Sequence, residues 1–554
     1  MTTTRTSRSM FGVAALLGAG VLTMAGSAAS PRFLNDDPIQ VQPDTRDAAG
    51  IKAEEVSLFV DLAYNLIAGA GPARGRAGNL NSVDEVPDSS WYTNRVGARP
   101  LTADEIGIGP DTTSGPAAGR WTITSSKSDG VTPGFTVKDT AGRRWFLKFD
   151  PPGYRGMATG SEVAVTKLMW ALGYNVAENH IAYLRREQLA IGGTATFTPK
   201  SGRKRPMRLE DLDALMGAVD READGTYRVV ASKALEGTPI GRIRFFGTRA
   251  DDPNDIVPHE DRRELRGYGV FAAWLNHVDA KAINSLDTLV TENGRSFVRH
   301  HLLDFGSALG SGALGPAAYY AGAENMLEPR SIGTRMTAFG FARPGWSRQA
   351  FYEAPSIGRL PLSNHDFDPS GWKPTVPNRA FLQARDDDRF WAARKLMALR
   401  TEHLRAAVAA GQFGDPASEA FLVKALAERR DAIARAYLTA VNPIADPVLS
   451  TDGILTFENV AVDHDVARAP REYRARWFVF DNATGETTLI GETASHSTTL
   501  DAPADFPCRA GVYLKVQLRS EGAVNPAWEK PVDAFFRMVG GEWRLIGFER
   551  MPHA

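Results

Sequence analysis

Two short stretches decide how this chain is read: His277-Val278-Asp279-Ala280-Lys281-Ala282-Ile283-Asn284 and, ending twenty-two residues later, Leu303-Asp304-Phe305-Gly306. Each sits in a local pattern. Upstream of the first, ELRGYGVFAAWLN places Leu265, Tyr268, Ala272 and Leu275 at helical spacing, so the stretch follows a helix. Between the two, Glu292-Asn293-Gly294 marks the turn of a hairpin whose second strand runs into Leu303. Toward the N-terminus, WTIT, GFTVKD and RWFLKFD are strand-like runs separated by Ser128-Asp129-Gly130 and Thr140-Ala141-Gly142, an antiparallel meander with Lys148 in its third strand. Residues 161–172 space Val165, Leu168, Met169 and Leu172 as a helix stopped by Gly173, with Glu162 in its opening turn. Thr159-Gly160-Ser161-Glu162 also spells a capping box, in which that glutamate bonds the helix's own start. Strands near 180–184 and 227–232 complete an order of three strands, one helix and two strands.

A strand lysine, a helix glutamate, HVDAKAIN after a helix and DFG after a strand, in this order, resemble the protein-kinase-like superfamily. HVDAKAIN carries His, Asp, Lys and Asn at the offsets of the kinase catalytic loop, and the resemblance spans about 120–440. AWLNHVDAKAIN followed by HLLDFGSALG is similar to the HipA-like toxin kinases, the spore-coat CotH kinases and the secretory-pathway kinases. The resemblance implies an α+β fold of two lobes, about 119–235 and 236–442, using ATP with Mg2+ or Mn2+. Phosphoryl transfer asks little covalent help and much charge neutralisation. By the resemblance Lys148 meets the α/β phosphates, Glu162 holds Lys148, Asn284 and Asp304 are hard oxygen ligands for the metal, Asp279 orients or deprotonates an acceptor hydroxyl, and Lys281 steadies the γ-phosphate.

The chain departs from that pattern in two places. SSKSDGVTPGF, between the first two strands, offers Gly130 and Gly134 but not G-x-G-x-x-G, so Ser126 and Ser128 stand in as donors beside Gly130. ALGSGALGPAAYY after DFG contains no A-P-E, which points away from regulatory serine/threonine kinases. Two other readings stay open: a catalytically silent exported scaffold, and a kinase-like enzyme that transfers AMP. The acceptor is unidentified, with an exported protein, a glycan or a small molecule all compatible.

Composition narrows the rest. Among 554 residues, 64 Lys and Arg against 65 Asp and Glu leave a net charge of −1, which argues against a nucleic-acid partner. One cysteine, Cys508, excludes an internal disulfide and any cysteine-built metal centre. Arg5 and Arg8, an apolar run from Met10 to about Met24 and the small residues Ala25 to Ala29 read as a signal peptide over 1–29, hence a periplasmic or secreted protein with no membrane span after cleavage. Residues 30–118 read as a wrapping segment with one helix near 54–66. Helices are expected over 388–411 and 416–440, and an all-β sandwich over 445–554, where Leu514, Val516 and Leu518 alternate with polar residues and Asn482 to Gly485 turns a hairpin. Trp477, Trp528 and Trp543 belong to that region's core or to a sugar platform. His300-His301 point to opposite strand faces and cannot chelate one ion, and Arg203-Lys204-Arg205 reads as a solvated loop. No G-x-S-x-G or H-E-x-x-H motif is present.

Overall fold

A computed structural model describes residues 31–551 apart from 56, 68–74, 128–132, 200–201, 328–332, 334–335, 338–343 and 508. The expected signal peptide, Ser128, Gly130 and Cys508 lie outside the described residues. The chain is a mixed α+β protein with several sheets. The described residues of its leading segment lie outside regular helices apart from α1 (Leu58–Ile67) and α2 (Ala103–Ile108). It runs along much of the molecule: Phe33 packs among Phe480, Phe535 and Ile546, the Ala48 amide donates to the Ser296 carbonyl, and Glu85 accepts from Trp391 and Arg394.

The meander is β1 (Trp121–Ser126), β2 (Gly134–Lys138) and β3 (Arg144–Lys148), each antiparallel to the next. Ile123, Phe135, Val137, Trp145 and Leu147 turn into one apolar core, while Thr122 and Phe146 face out, the period-two pattern a half-buried sheet requires. After α3 (Met157–Ala171) come β4 (Asn179–Leu184), β5 (Leu189–Phe197), β6 (Arg205–Pro206), α4 (Leu209–Gly217) and β7 (Tyr227–Lys233). The resulting sheet has seven strands in the order β4-β7-β3-β2-β1-β5-β6, with β5 parallel to β1. The two strands expected after the helix are therefore joined by a third and a short fourth. Gly192-Gly193 and a mostly half-exposed pattern hide β5, although Leu212 and Met216 of α4 close the core in its vicinity.

Next, β8 (Thr238–Gly241), α5 (Arg263–Trp274), β9 (Ser285–Glu292) and β10 (Arg295–Leu302) lead into the second motif. Asn293 (φ 51°) and Gly294 (φ 77°) make the left-handed two-residue turn expected between β9 and β10. Unlike an ordinary surface helix, α5 is buried on every side. Arg263 bonds Asp388 at 3.0 Å and Arg266 bonds Asp261 at 2.6 Å, so these charges enter the interior paired. The single helix expected over 388–411 is two, Asp386–Met397 and Thr401–Ala410. Leu399 turns into the core, and the His403 ring accepts the Arg400 amide at 3.1 Å to start the second helix. The helix Pro416–Tyr437 follows, capped by Asp415. Among the described residues no helix is long and apolar enough to cross a membrane.

The last hundred residues form a three-stranded and a five-stranded sheet that share one apolar cluster, with Leu455 and Phe457 from the first and Trp477, Leu514, Val516 and Leu518 from the second. Trp477, Trp528 and Trp543 are 0, 2 and 7 % exposed, which rules them out as an open sugar platform. Trp477→Ala would open a large cavity and orphan the Thr493 hydroxyl that its indole meets at 2.9 Å. A loss of about 3–5 kcal/mol is expected in urea unfolding, and a loss under 1 kcal/mol would show that the cluster collapses around the change.

Candidate active site

Lys148 ends β3, and two predicted residues converge on its ammonium: Glu162 Oε2 lies at 3.3 Å and Asp304 Oδ1 at 2.9 Å. Burial alone would lower the lysine's pKa, but the two carboxylates outweigh it and hold it well above its ordinary range. For Asp304 burial pulls upward, yet the charge and hydrogen bond of Lys148 prevail and keep the carboxyl below its usual range.

Glu162 reaches this point because α3 starts earlier than its sequence suggests. The helix opens at Met157 behind Gly156 (φ 89°), which places Glu162 in the second turn with 2 % exposure and removes the capping box. The start is closed instead by Asp150, two residues beyond Lys148. Its carboxylate accepts from the amides of Gly156, Ala158 and Thr159 and from the Thr159 hydroxyl, at 2.7–2.9 Å. Asp150→Ala strands these donors and should lower stability by about 1–3 kcal/mol in urea unfolding, with Asp150→Asn losing less because one acceptor oxygen remains. Equal losses for the two variants would argue against the cap. Glu162 is held on its far side too: Oε1 accepts from Asn179 at 3.3 Å and Oε2 from the Gly306 amide at 3.0 Å. A Cβ on Gly306 would stand 3.2 Å from that oxygen, a physical reason for glycine after Phe305.

Beyond α5 the chain makes a tight loop. Asn284 Nδ2 donates to the carbonyl and to Oδ2 of Asp279, both at 2.8 Å, and Lys281 Nζ lies 2.5 Å from Asp279 Oδ1. Arg242, which no motif singled out, donates to the Ile283 carbonyl and, at 3.2 Å, to that of Ser285, pinning the turn that carries Asn284. His277 packs against Phe305 with ring centroids 5.4 Å apart, and neither of its ring nitrogens has a partner.

Lys148, Glu162, Arg242, Asp279, Lys281, Asn284 and Asp304 line a cleft of two joined parts, about 410 and 370 Å³. The first is polar: Lys127, Lys148, Arg242 and Lys281 against Glu162, Asp279 and Asp304, with Asn284 beside them. The second runs under the sheet among Phe135, Leu147, Ala177, Leu235, Leu286 and Leu303. Lys127 borders both parts, one residue past the serine expected to act there. Ser126 borders the apolar part, and its hydroxyl accepts the Thr198 amide at 3.1 Å. A larger cavity of about 680 Å³ lies elsewhere, where Arg95, Arg295 and Arg299 are offset by Asp44, Asp88 and Glu292, and it contains none of the predicted residues.

His300 bonds Asp287 at 2.8 Å and His301 bonds Thr288 at 3.2 Å, so the pair is divided between separate partners. Among the described residues no group of three or more His, Cys, Asp or Glu could hold a metal ion. Burial depresses the rings of His277 to about 4 and of His301 to about 3, the latter with help from Arg299. Both are neutral when folded and protonate more readily when unfolded. Their share of stability is whole above about pH 6.5 and falls as pH drops from there toward the folded values, by about 1.4 kcal/mol per unit per ring. Glu178, whose pKa is pushed down by bonds from Thr113, His180 and Thr112 against the pull of burial, loses its share only below the usual carboxylate range. Melting followed from about pH 7 to about pH 4.5 should decline steeply, and His301→Asn should make the decline shallower. Parallel curves would remove His301 from this account.

No family model matches the chain, and no curated protein matches it. Two solved structures of Golgi casein kinase, one with Mn/ADP bound, are similar to it over 72 % of this chain and 94 % of theirs, at 12 % identity and TM-scores of 0.28 and 0.29. A likeness at that level leaves the reading to the cleft itself.

Proposed function

We propose that the chain is an exported kinase-like phosphotransferase that moves the γ-phosphoryl group of ATP to a hydroxyl acceptor. The observation that carries this reading is Lys148 held between Glu162 and Asp304 at the junction of a polar and an apolar cavity. The apolar part suits a nucleobase, and the polar part suits the phosphates. Four cations against three carboxylates leave one spare positive charge, short of what a nucleoside triphosphate brings. Mg2+ or Mn2+ supplies that shortfall as a Lewis acid when bound.

The donors suit such an ion: Asp304, half of whose side chain is exposed, and Asn284, whose Nδ2 is committed to Asp279, leaving Oδ1 for a cation. One carboxylate, one amide oxygen and the phosphates match how Mg2+ is usually held. Lys148 and Lys127 meet the phosphates, Ser126 borders the nucleotide, and Lys281 faces the transferred group. Asp279 takes the acceptor proton as the new O–P bond forms, the bond from the γ-phosphorus to the bridging oxygen breaks, and ADP leaves. The acceptor class, an exported protein, a glycan or a small molecule, is open. The two C-terminal sheets with their common core support a β-sandwich appended to the two lobes.

Label position tests the reaction. With γ-labelled ATP and extracts of exported protein and glycan, label should appear on an acceptor. Label retained from the α position instead would mean AMP transfer, and label from neither would favour a silent scaffold.

A further inference from the structure

Glu162 is delivered by α3, and the leading segment grips the C-terminal part of that helix. At its C-terminal end, the Val96 amide donates to the Ala171 carbonyl at 3.1 Å and the Thr93 amide to that of Gly173 at 2.9 Å. Arg95 donates to the Trp170 carbonyl at 2.8 Å and lies over that ring at 4.9 Å. The Trp170 and Ala171 carbonyls are among those a helix end leaves over. One turn earlier, Lys167, 1 % exposed, donates to the Ile108 carbonyl at 2.8 Å and pairs with Asp111. Thr112 and Thr113 then give amides and hydroxyls to Glu178, both amides at 3.1 Å. The next residue, Asn179, bonds Thr166 at 2.8 Å and Glu162 at 3.3 Å, and Glu162 meets Lys148. Polar contacts and one peptide bond thus run unbroken from residues 108–113 to the cleft.

We propose that residues 93–113 are a built-in clamp that holds α3 where Glu162 meets Lys148, with Asp111, Lys167 and Glu178 as positioning residues. Its functional consequence rests on the phosphotransfer reading, while its geometry does not. The physical basis is the buried ammonium of Lys167. With α3 in place that charge has a carboxylate and a carbonyl, both supplied by the leading segment, and moving the helix away from the segment strips it of both. Ile106 of α2 is fully buried, so the segment is also tied to the core by apolar contact. Whatever lifts 103–113 off α3 loosens Glu162 and leaves Lys148 to Asp304 alone.

The test uses the full mature chain and two readouts. Acylation of Lys148 by an amine-directed reagent, followed by peptide mass spectrometry without nucleotide, reports the Lys148–Glu162 pair. Asp111→Asn and Lys167→Met should raise it several-fold, and Asp111→Glu should restore protection. The dissociation constant for ATP with Mg2+ should rise about tenfold in the first two variants. Thr112→Val/Thr113→Val removes only hydroxyl contacts and provides a milder variant should the charge changes prevent folding. Folded variants with wild-type Lys148 labelling would overturn the clamp, and where the charge variants do not fold, wild-type labelling in the threonine variant would do so. If the wild type binds no ATP, the phosphotransfer reading fails, and the labelling still decides the clamp.

Discussion

Asp304→Ala should abolish the metal-dependent stabilisation that ATP confers on the wild-type chain. A ligand that binds only the folded state at a hundred times its dissociation constant adds about 2.7 kcal/mol, enough to move a melting transition by several degrees. In the variant, Lys148 keeps Glu162, but the divalent ion loses the carboxylate proposed to hold it. The apo protein should change little, because the Lys148 ammonium keeps the Glu162 carboxylate as a partner. The measurement is the melting temperature of both chains with ATP plus Mg2+ or Mn2+, and with ATP plus a chelator. Equal shifts in wild type and variant would remove Asp304 as a metal ligand. No shift in either would turn attention to the silent scaffold and to the C-terminal sheets.

Asp279→Asn separates binding from chemistry. The asparagine side chain is nearly the same size, and Asn284 still donates to the residue 279 carbonyl, so the loop keeps one of its two anchors. What disappears is a carboxylate able to take a proton, a loss of about 10²–10⁴-fold in turnover for general-base groups. The ATP dissociation constant should stay within about twofold, since a change of that size is only about 0.4 kcal/mol. Transfer at the wild-type rate would remove Asp279 as base or orienter. Weaker binding with unchanged turnover would recast it as part of the nucleotide site.

How much of this was legible depended on range. Lys148, Asp279, Asn284 and Asp304 stand within short motifs whose flanks have clear periodicity, and the structure brings them to one cleft. Glu162 was legible as a residue but not in its placement. Its helix is capped by Asp150, six residues before the N-cap Gly156, and no adjacent-residue rule reaches that far. Arg242 and the Asp111–Lys167 pair had no motif, since partners 41 and 56 residues apart leave no local pattern. The buried guanidinium groups of α5 leave no sign in the sequence, because periodicity records where apolar residues lie, not which charges find partners inside. The glycine pair in β5 hid a strand for the converse reason, as nothing alternates there.

The course of the leading segment also bears on when the molecule can finish folding. Phe33 beds among aromatic residues near the other end of the chain, and Arg32 pairs with Glu549, 517 positions later. A polypeptide in which residues 32 and 33 dock on strands more than 440 positions later cannot complete its structure before those strands have been synthesised. Closure waits for the final strand, and so long a loop makes that step slow. Until then the chain remains incompletely closed, the state in which chaperones engage their clients, and its last step is an end-to-end fastening.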